Sequence, residues 1–189
     1  MSSFFAFLSR MRNINRWSLM RNTQGENLAE HSYFVSVIAH CLAFIRRDVF
    51  GLPADAEKIA AAALYHDISE ILTGDMPTPV KYYNQDIKDA YKKIEEAAAK
   101  KLILSLPLEI RESYDKIMNE NHPEVLALIR AADKISAYIK CTEELRAGNA
   151  EFLKASEQLK KSLDEMDLKE VKYFMENFMP AYSLTLDEL

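Results

Sequence analysis

Residues 59–79 read IAAAALYHDISEILTGDMPTP, and within them an imidazole and a carboxylate stand side by side as His66 and Asp67. Glu70 follows one helical turn after His66, and Asp75 lies just past Gly74, ahead of two prolines. Two groups of the same chemistry, His31 and Asp133, sit far away in the chain with apolar residues around them. Two imidazoles and two carboxylates form a mixed nitrogen and oxygen donor set. Such a set suits a divalent ion such as manganese, cobalt, iron or zinc, and disfavours a thiolate-type structural site. Four protein ligands leave one or two positions open for water and substrate, which is what separates a catalytic site from a closed one. The expectation is therefore one ion held by His31, His66, Asp67 and Asp133.

Taken singly these residues say little. An HD dipeptide is common, and His40 and His122 read as structural or surface groups, one off the apolar stripe and one in a turn. Neighbours on a helix point about 100° apart. His66 and Asp67 therefore meet one ion only if it lies between their directions, in a gap that other helices close. Glu70 has the spacing of an acid that takes a proton from the attacking water, and a helix ion pair is its other reading. Asp75 could orient that water or protonate a leaving oxygen. Arg16 offers a planar fork to phosphate oxygens, and the neighbouring Trp17 offers a face to a base or sugar.

Helices are the elements that must carry these groups. A short one is expected over residues 3–12. A second starts at Asn27, whose capping-box partner is Glu30, and runs to about residue 48 with Phe34, Val37, Ile38, Cys41, Leu42 and Ile45 inward. A third opens at Pro53 and continues through His66 to Gly74, with Ile59, Ala62, Ala63, His66 and Glu70 on one face. Its alanines allow a neighbouring helix to come close, and residues 75–79 form a proline-stiffened loop beyond it. Helices at 85–105 (Ile87, Ala90, Tyr91, Ile94 and Ala98 inward), 107–118, 123–146, 151–164 and 168–178 follow. On the 123–146 helix Leu126, Ile129, Ala132, Asp133 and Ser136 share the inner side, so Asp133 is an acid among apolar neighbours, which is costly without a cation nearby. No segment reads as a strand. The expected architecture is all-α, a single domain over residues 1–189, with the last two helices serving packing or a dimer.

Composition agrees with a globular chain: 189 residues, 49% hydrophobic, with only four glycines. The charge of -5 argues against a dedicated nucleic-acid binder. Cys41 and Cys141 form no CxxC and suit a reducing compartment. No apolar run reaches the roughly 20 residues of a membrane span, and the expected location is the cytoplasm. GxxxxGK, GxGxxG, GxSxG and HExxH are all absent, which removes the corresponding nucleotide-binding, hydrolase and zinc-protease readings.

The ordered set His31, His66-Asp67, Asp133 resembles the H…HD…D signature of the HD-domain metal-dependent phosphohydrolases. With the flanks INRWSLMRN, ENLAEHS, LYHDISEILTGDMPTPVKY and ADKISAYIKCTEEL, the resemblance narrows to the bacterial HD-domain 5'-deoxynucleotidases of the YfbR type. It covers nearly the whole chain. The resemblance implies an HD-domain helical bundle with additional C-terminal helices. It implies hydrolysis of deoxyribonucleoside 5'-monophosphates with discrimination against ribonucleotides, by a homodimer that acts on neither nucleic acid nor membrane. Each subunit would hold one divalent ion, cobalt or manganese, with zinc, iron, copper and magnesium as alternatives. His31, His66, Asp67 and Asp133 would be ligands, and Glu70, helped by Asp75, would activate water. Arg16, Trp17, Asp75, Met76, Pro77 and Thr78 would contact substrate. A phosphohydrolase for a cyclic nucleotide, an alarmone or a triphosphate is the nearest rival, and a helical binding module the more distant one.

Overall fold

The computed structural model describes residues 1–81 and 83–189, and of Thr78 only the backbone. Among the described residues the regular structure is helical, and the one β-type pairing is an isolated bridge between Asn15 and Asn27. The chain packs as two units. The first comprises Met1–Arg21, Gly25–Ser32 and Tyr65–Glu120, and the second Asn22–Gln24, Tyr33–Leu64 and Asn121–Leu189.

The first unit holds α1 (Phe4–Leu8), the opening turn of α2 (Leu28–Phe44), α4 (Glu70–Thr73), α5 (Thr78–Lys81), α6 (Gln85–Leu104) and α7 (Leu108–Met118). Its core is Phe4, Met11, Leu28, Ile68, Ile71, Leu102 and Leu106. Burial of each such side chain is worth about 1.5–3 kcal/mol. Leu28 lies one turn before His31 and Ile68 directly follows Asp67, so the same apolar cluster grips both segments that carry the imidazoles. The start of α2 is capped as its sequence predicts. Asn27 Oδ1 accepts from the backbone N–H groups of Ala29 and Glu30, both at 3.0 Å, and Glu30 Oε2 accepts from the Asn27 N–H at 3.3 Å. On α6 the buried stripe is Tyr91, Ala98 and Leu102, whereas Ile94 is 54% exposed and Ala90 is exposed too. The inward assignment of Ile94 and Ala90 therefore does not hold.

In the second unit α3 (Ala56–Leu64) and α9 (Leu153–Asp164) pack on α8 (Pro123–Arg146), and α10 (Lys169–Asn177) packs against the Ile45–Val49 turn that ends α2. Ala62 and Ala63 on α3 and Ala131 and Ala132 on α8 are buried, as a close crossing requires. The Ser36 hydroxyl donates to the Ala60 carbonyl at 2.8 Å and ties α2 to α3. The buried face of α2 is Val35, Ile38, Ala39, Leu42 and Ala43, while Phe34 and Val37 are exposed. The predicted stripe is thus rotated by part of a turn, because α2 is apolar nearly all round and its period gives a weak signal. For the same reason Leu28–Val49 is long and apolar enough to cross a membrane by length and composition, contrary to the sequence expectation. Half of that window is buried inside the protein, as in a core helix.

Glu144 on α8 is 1% exposed and organises the second unit. It accepts from the Thr23 N–H at 2.9 Å, the Thr23 hydroxyl at 2.7 Å, Gln24 N–H at 3.2 Å and Asn149 Nδ2 at 2.8 Å, and pairs with Lys140. Lys140 also donates to the Gln24 carbonyl. Burial by itself would raise this carboxyl, but the bonds from Lys140, Thr23 and Asn149 outweigh it and hold it well below the usual carboxylate range. A depressed folded-state pKa stabilises the fold fully above the unfolded value near 4.5 and loses that contribution as pH falls through the folded value. Glu144→Gln should accordingly lower the urea midpoint at pH 7. The gap to wild type should narrow as pH is taken down from about 4.5; a gap that is constant with pH would contradict the assignment.

Candidate metal centre

The helix expected to run unbroken from Pro53 to Gly74 does not form. α3 stops at Leu64, residues 65–69 are turns, and α4 starts at Glu70. Through the break the N–H of Ile68 donates to Tyr65 O at 3.1 Å and that of Glu70 to Asp67 O at 3.0 Å, a three-residue spacing tighter than an α-helix. His66 and Asp67 sit inside this turn. Freed from regular helical directions, their side chains turn together, and His66 Nε2 lies 3.0 Å from Asp67 Oδ2. The same oxygen is 3.8 Å from Nε2 of His31, which has no solvent exposure. The two imidazole rings stand 5.4 Å apart between centroids.

His31, His66 and Asp133 each offer one ligand atom, and these atoms lie within 4.8 Å of one another. Metal–ligand bonds of about 2.1 Å set that scale of spacing. The donors are borderline nitrogen and hard oxygen, so the group forms a divalent metal site. Asp67, the predicted fourth ligand, is adjacent to both imidazoles. Burial would raise its carboxyl, but His66, His31 and Arg16 outweigh burial and hold it well below the ordinary range.

Glu70 begins α4 and is 5% exposed. Its Oε2 is buried and makes no hydrogen bond to the described residues. Burial, then the charges of Asp67 and Asp75, push its carboxyl up to about 8. Beyond α4 the chain reverses at Gly74, whose φ of 75° is a conformation that a side chain would strain. Tyr91 Oη reaches Thr73 Oγ1 at 3.1 Å and the Gly74 carbonyl at 3.3 Å, fixing the exit toward Asp75. Asp75, Met76 and Pro77 are half-buried, and burial raises the Asp75 carboxyl. The expected rigid loop over residues 75–79 is shorter than that, because α5 begins at Thr78; the Thr78 side chain lies outside the described residues.

Arg16 Nη1 lies 3.5 Å from Asp67 Oδ2, so the guanidinium stands beside the His66-Asp67 turn. Trp17 follows it with φ at 56°, a left-handed conformation for a bulky residue that costs on the order of 1–3 kcal/mol. Its carbonyl accepts from the Met20 N–H and its indole N–H donates to Glu26 Oε2, both at 2.9 Å. Glu26 was not singled out by sequence reasoning, although a signal exists: it is the first acidic residue of the chain, after four arginines. Lys81 also escaped notice. Its charge acts on Glu70 and Asp75, and its ammonium pairs with Glu95 at 2.8 Å. His40 packs against Phe44 with ring centroids 4.3 Å apart and His122 precedes α8, in keeping with structural roles.

Residues 3–182 match the model of the family described as 5'-deoxynucleotidase YfbR-like. A 5'-deoxynucleotidase of Erwinia tasmaniensis is 52% identical over all of this chain and 96% of its own length. One from Photorhabdus laumondii is 50% identical over all of this chain and 97% of its own. Among solved structures, an HD-domain phosphohydrolase from Listeria innocua superposes with a TM-score of 0.83 at 26% identity, covering 95% of this chain and 88% of that one. The turn that carries His66-Asp67, the imidazole of His31 and the match along nearly the whole sequence lead to one conclusion: the chain belongs to the YfbR-like 5'-deoxynucleotidase family of HD-domain phosphohydrolases.

Proposed function

We propose that this chain, acting over residues 1–189 as a single HD-type domain, hydrolyses deoxyribonucleoside 5'-monophosphates to deoxyribonucleoside and phosphate and disfavours ribonucleotides. The observation that carries the reading is Glu70: a buried carboxylate with an oxygen that no described residue satisfies, next to a cluster of metal-ligating side chains. Its relatives from Erwinia and Photorhabdus bear the name of this activity. His31, His66, Asp67 and Asp133 would hold one divalent ion, cobalt or manganese by the family resemblance. Such an ion supplies Lewis acidity that neutralises phosphoryl charge and makes water more acidic.

The remaining work falls to side chains. Glu70 accepts the proton of the attacking water, a role that a buried oxygen satisfied by no described residue suits. Arg16 binds the phosphoryl oxygens and stabilises them as charge redistributes. Asp75 assists by orienting the water or by protonating the leaving 5'-oxygen. Trp17 and the segment of Asp75, Met76, Pro77 and Thr78 close the sugar pocket. A ribose would bring a 2'-hydroxyl into that pocket with no partner, at a cost of about 1–3 kcal/mol. The two cysteines carry thiols rather than a disulfide, which supports the cytoplasm as the site of action. Tyr33, Phe34 and Val37 expose an apolar strip of α2 at 59%, 51% and 48%, a surface that a second copy would cover in a homodimer.

With cobalt-loaded protein, phosphate release from dAMP should exceed that from AMP by roughly tenfold or more, with little from dATP or cyclic AMP. Turnover of dATP with dAMP left intact would sink the monophosphatase reading. Glu70→Ala should lower kcat by about 10²–10⁴-fold while cobalt binding persists; a variant that loses its fold instead would remove Glu70 from this role. In light scattering after gel filtration the wild-type chain should run at the mass of a pair and Phe34→Asp at the mass of one chain. A wild-type monomer at assay concentration would refute the dimer.

A further inference from the structure

Glu26 has no part in the chemistry described so far, yet its partners are groups on which that chemistry depends. Oε1 faces His31 Nδ1 at 3.6 Å. Oε2 accepts the Trp17 indole N–H at 2.9 Å and lies 3.4 Å from Arg16 Nε. The main chain repeats the attachment, because the Arg16 N–H donates to the Glu26 carbonyl at 2.9 Å and the Asn15–Asn27 bridge closes the loop beside it. One carboxylate thus spans a metal-site imidazole and both residues expected to hold substrate.

We propose that Glu26 is a positioning residue that sets His31 and the Arg16–Trp17 pair in one arrangement, so that metal affinity and substrate affinity depend on the same side chain. The substrate half of this inference rests on the deoxynucleotidase reading, and the metal half does not. The physical grounds are geometric. With Nδ1 of His31 turned to Glu26, Nε2 is the nitrogen that faces Asp67, at 3.8 Å. A carboxylate on the far nitrogen of a ligating histidine fixes the ring's orientation and makes it a better donor. Arg16 is engaged through Nε, which leaves its Nη1 edge directed at Asp67, 3.5 Å away. That edge is the one a phosphate would meet beside the ion. Trp17 gains a fixed ring plane from its indole bond, and that bond also helps hold its left-handed backbone.

The test uses the full chain and two readouts. Cobalt alone is titrated into metal-free protein by chelator competition and by its visible absorption band, and dAMP hydrolysis is followed to separate KM from kcat. Glu26→Gln keeps the shape and removes the charge; Glu26→Ala removes both. The expected result is a cobalt dissociation constant raised about tenfold in Glu26→Gln and more in Glu26→Ala. KM for dAMP should rise in parallel, with the far-ultraviolet circular dichroism of wild type. Wild-type cobalt affinity in both folded variants would overturn the proposal, as would a cobalt shift with KM unmoved. Loss of helical signal in Glu26→Gln would also overturn it, since the carboxylate would then be a fold element. Wild-type protein that binds cobalt but leaves dAMP intact would defeat the substrate reading, while the cobalt arm still decides Glu26.

Discussion

The site depends on the cost of keeping carboxylates together away from water. Glu26, Asp67 and Glu70 are largely buried within a short stretch of structure, and an unpaired ion there costs several kcal/mol. The chain compensates with polar groups at close range. Arg16 stands between Glu26 and Asp67, and the imidazoles of His31 and His66 crowd Asp67 Oδ2. Glu70 Oε2 has no hydrogen-bond partner among the described residues, and burial, then the charges of Asp67 and Asp75, drive its carboxyl upward against the smaller pull of Arg16 and Lys81. This asymmetry sets Glu70 apart from Glu26 and Asp67, and it arises from environment alone because all are ordinary carboxylates.

Precision in this arrangement comes from apolar packing on either side of it. Leu28 and Ile68 belong to one buried cluster, so the turn that carries His66-Asp67 and the helix start that carries His31 share an anchor. Phe4 and Met11 complete the cluster from the N-terminal segment. That gives the short aromatic α1 a purpose in positioning the site although it bears no chemistry of its own. Small residues serve a second purpose in the other unit, where buried alanines on α3 and α8 let those helices pack closely.

Most helices could be read from periodicity and capping. The α8 bounds Pro123–Arg146 agree with the expected range, and Asn27 caps α2 as its capping box predicts. The readings that went astray share a cause. Phe34, Val37, Ala90 and Ile94 are apolar residues on faces whose hydrophobicity does not distinguish inside from outside. Exposure there is decided by which neighbours are present. The break at residues 65–69 is a different failure: alanine-rich sequence on one side and Glu70-Ile71-Leu72 on the other both favour helix, so local propensity runs straight through.

By itself the sequence determined which groups could bind a metal, since His31, His66, Asp67 and Asp133 are defined by residue type and ordered spacing, and it determined the helical class through long apolar periods. The tertiary structure alone decided how the adjacent pair could act as one. A turn replaced the helix that would have pointed His66 and Asp67 apart, because packing of Ile68 and Ile71 into a core built from distant segments outweighs local helix preference. It alone also brought Glu26 to His31, Arg16 and Trp17. No spacing rule encodes such a meeting, because the loop that makes it is set by hydrogen bonds rather than by a repeating pattern.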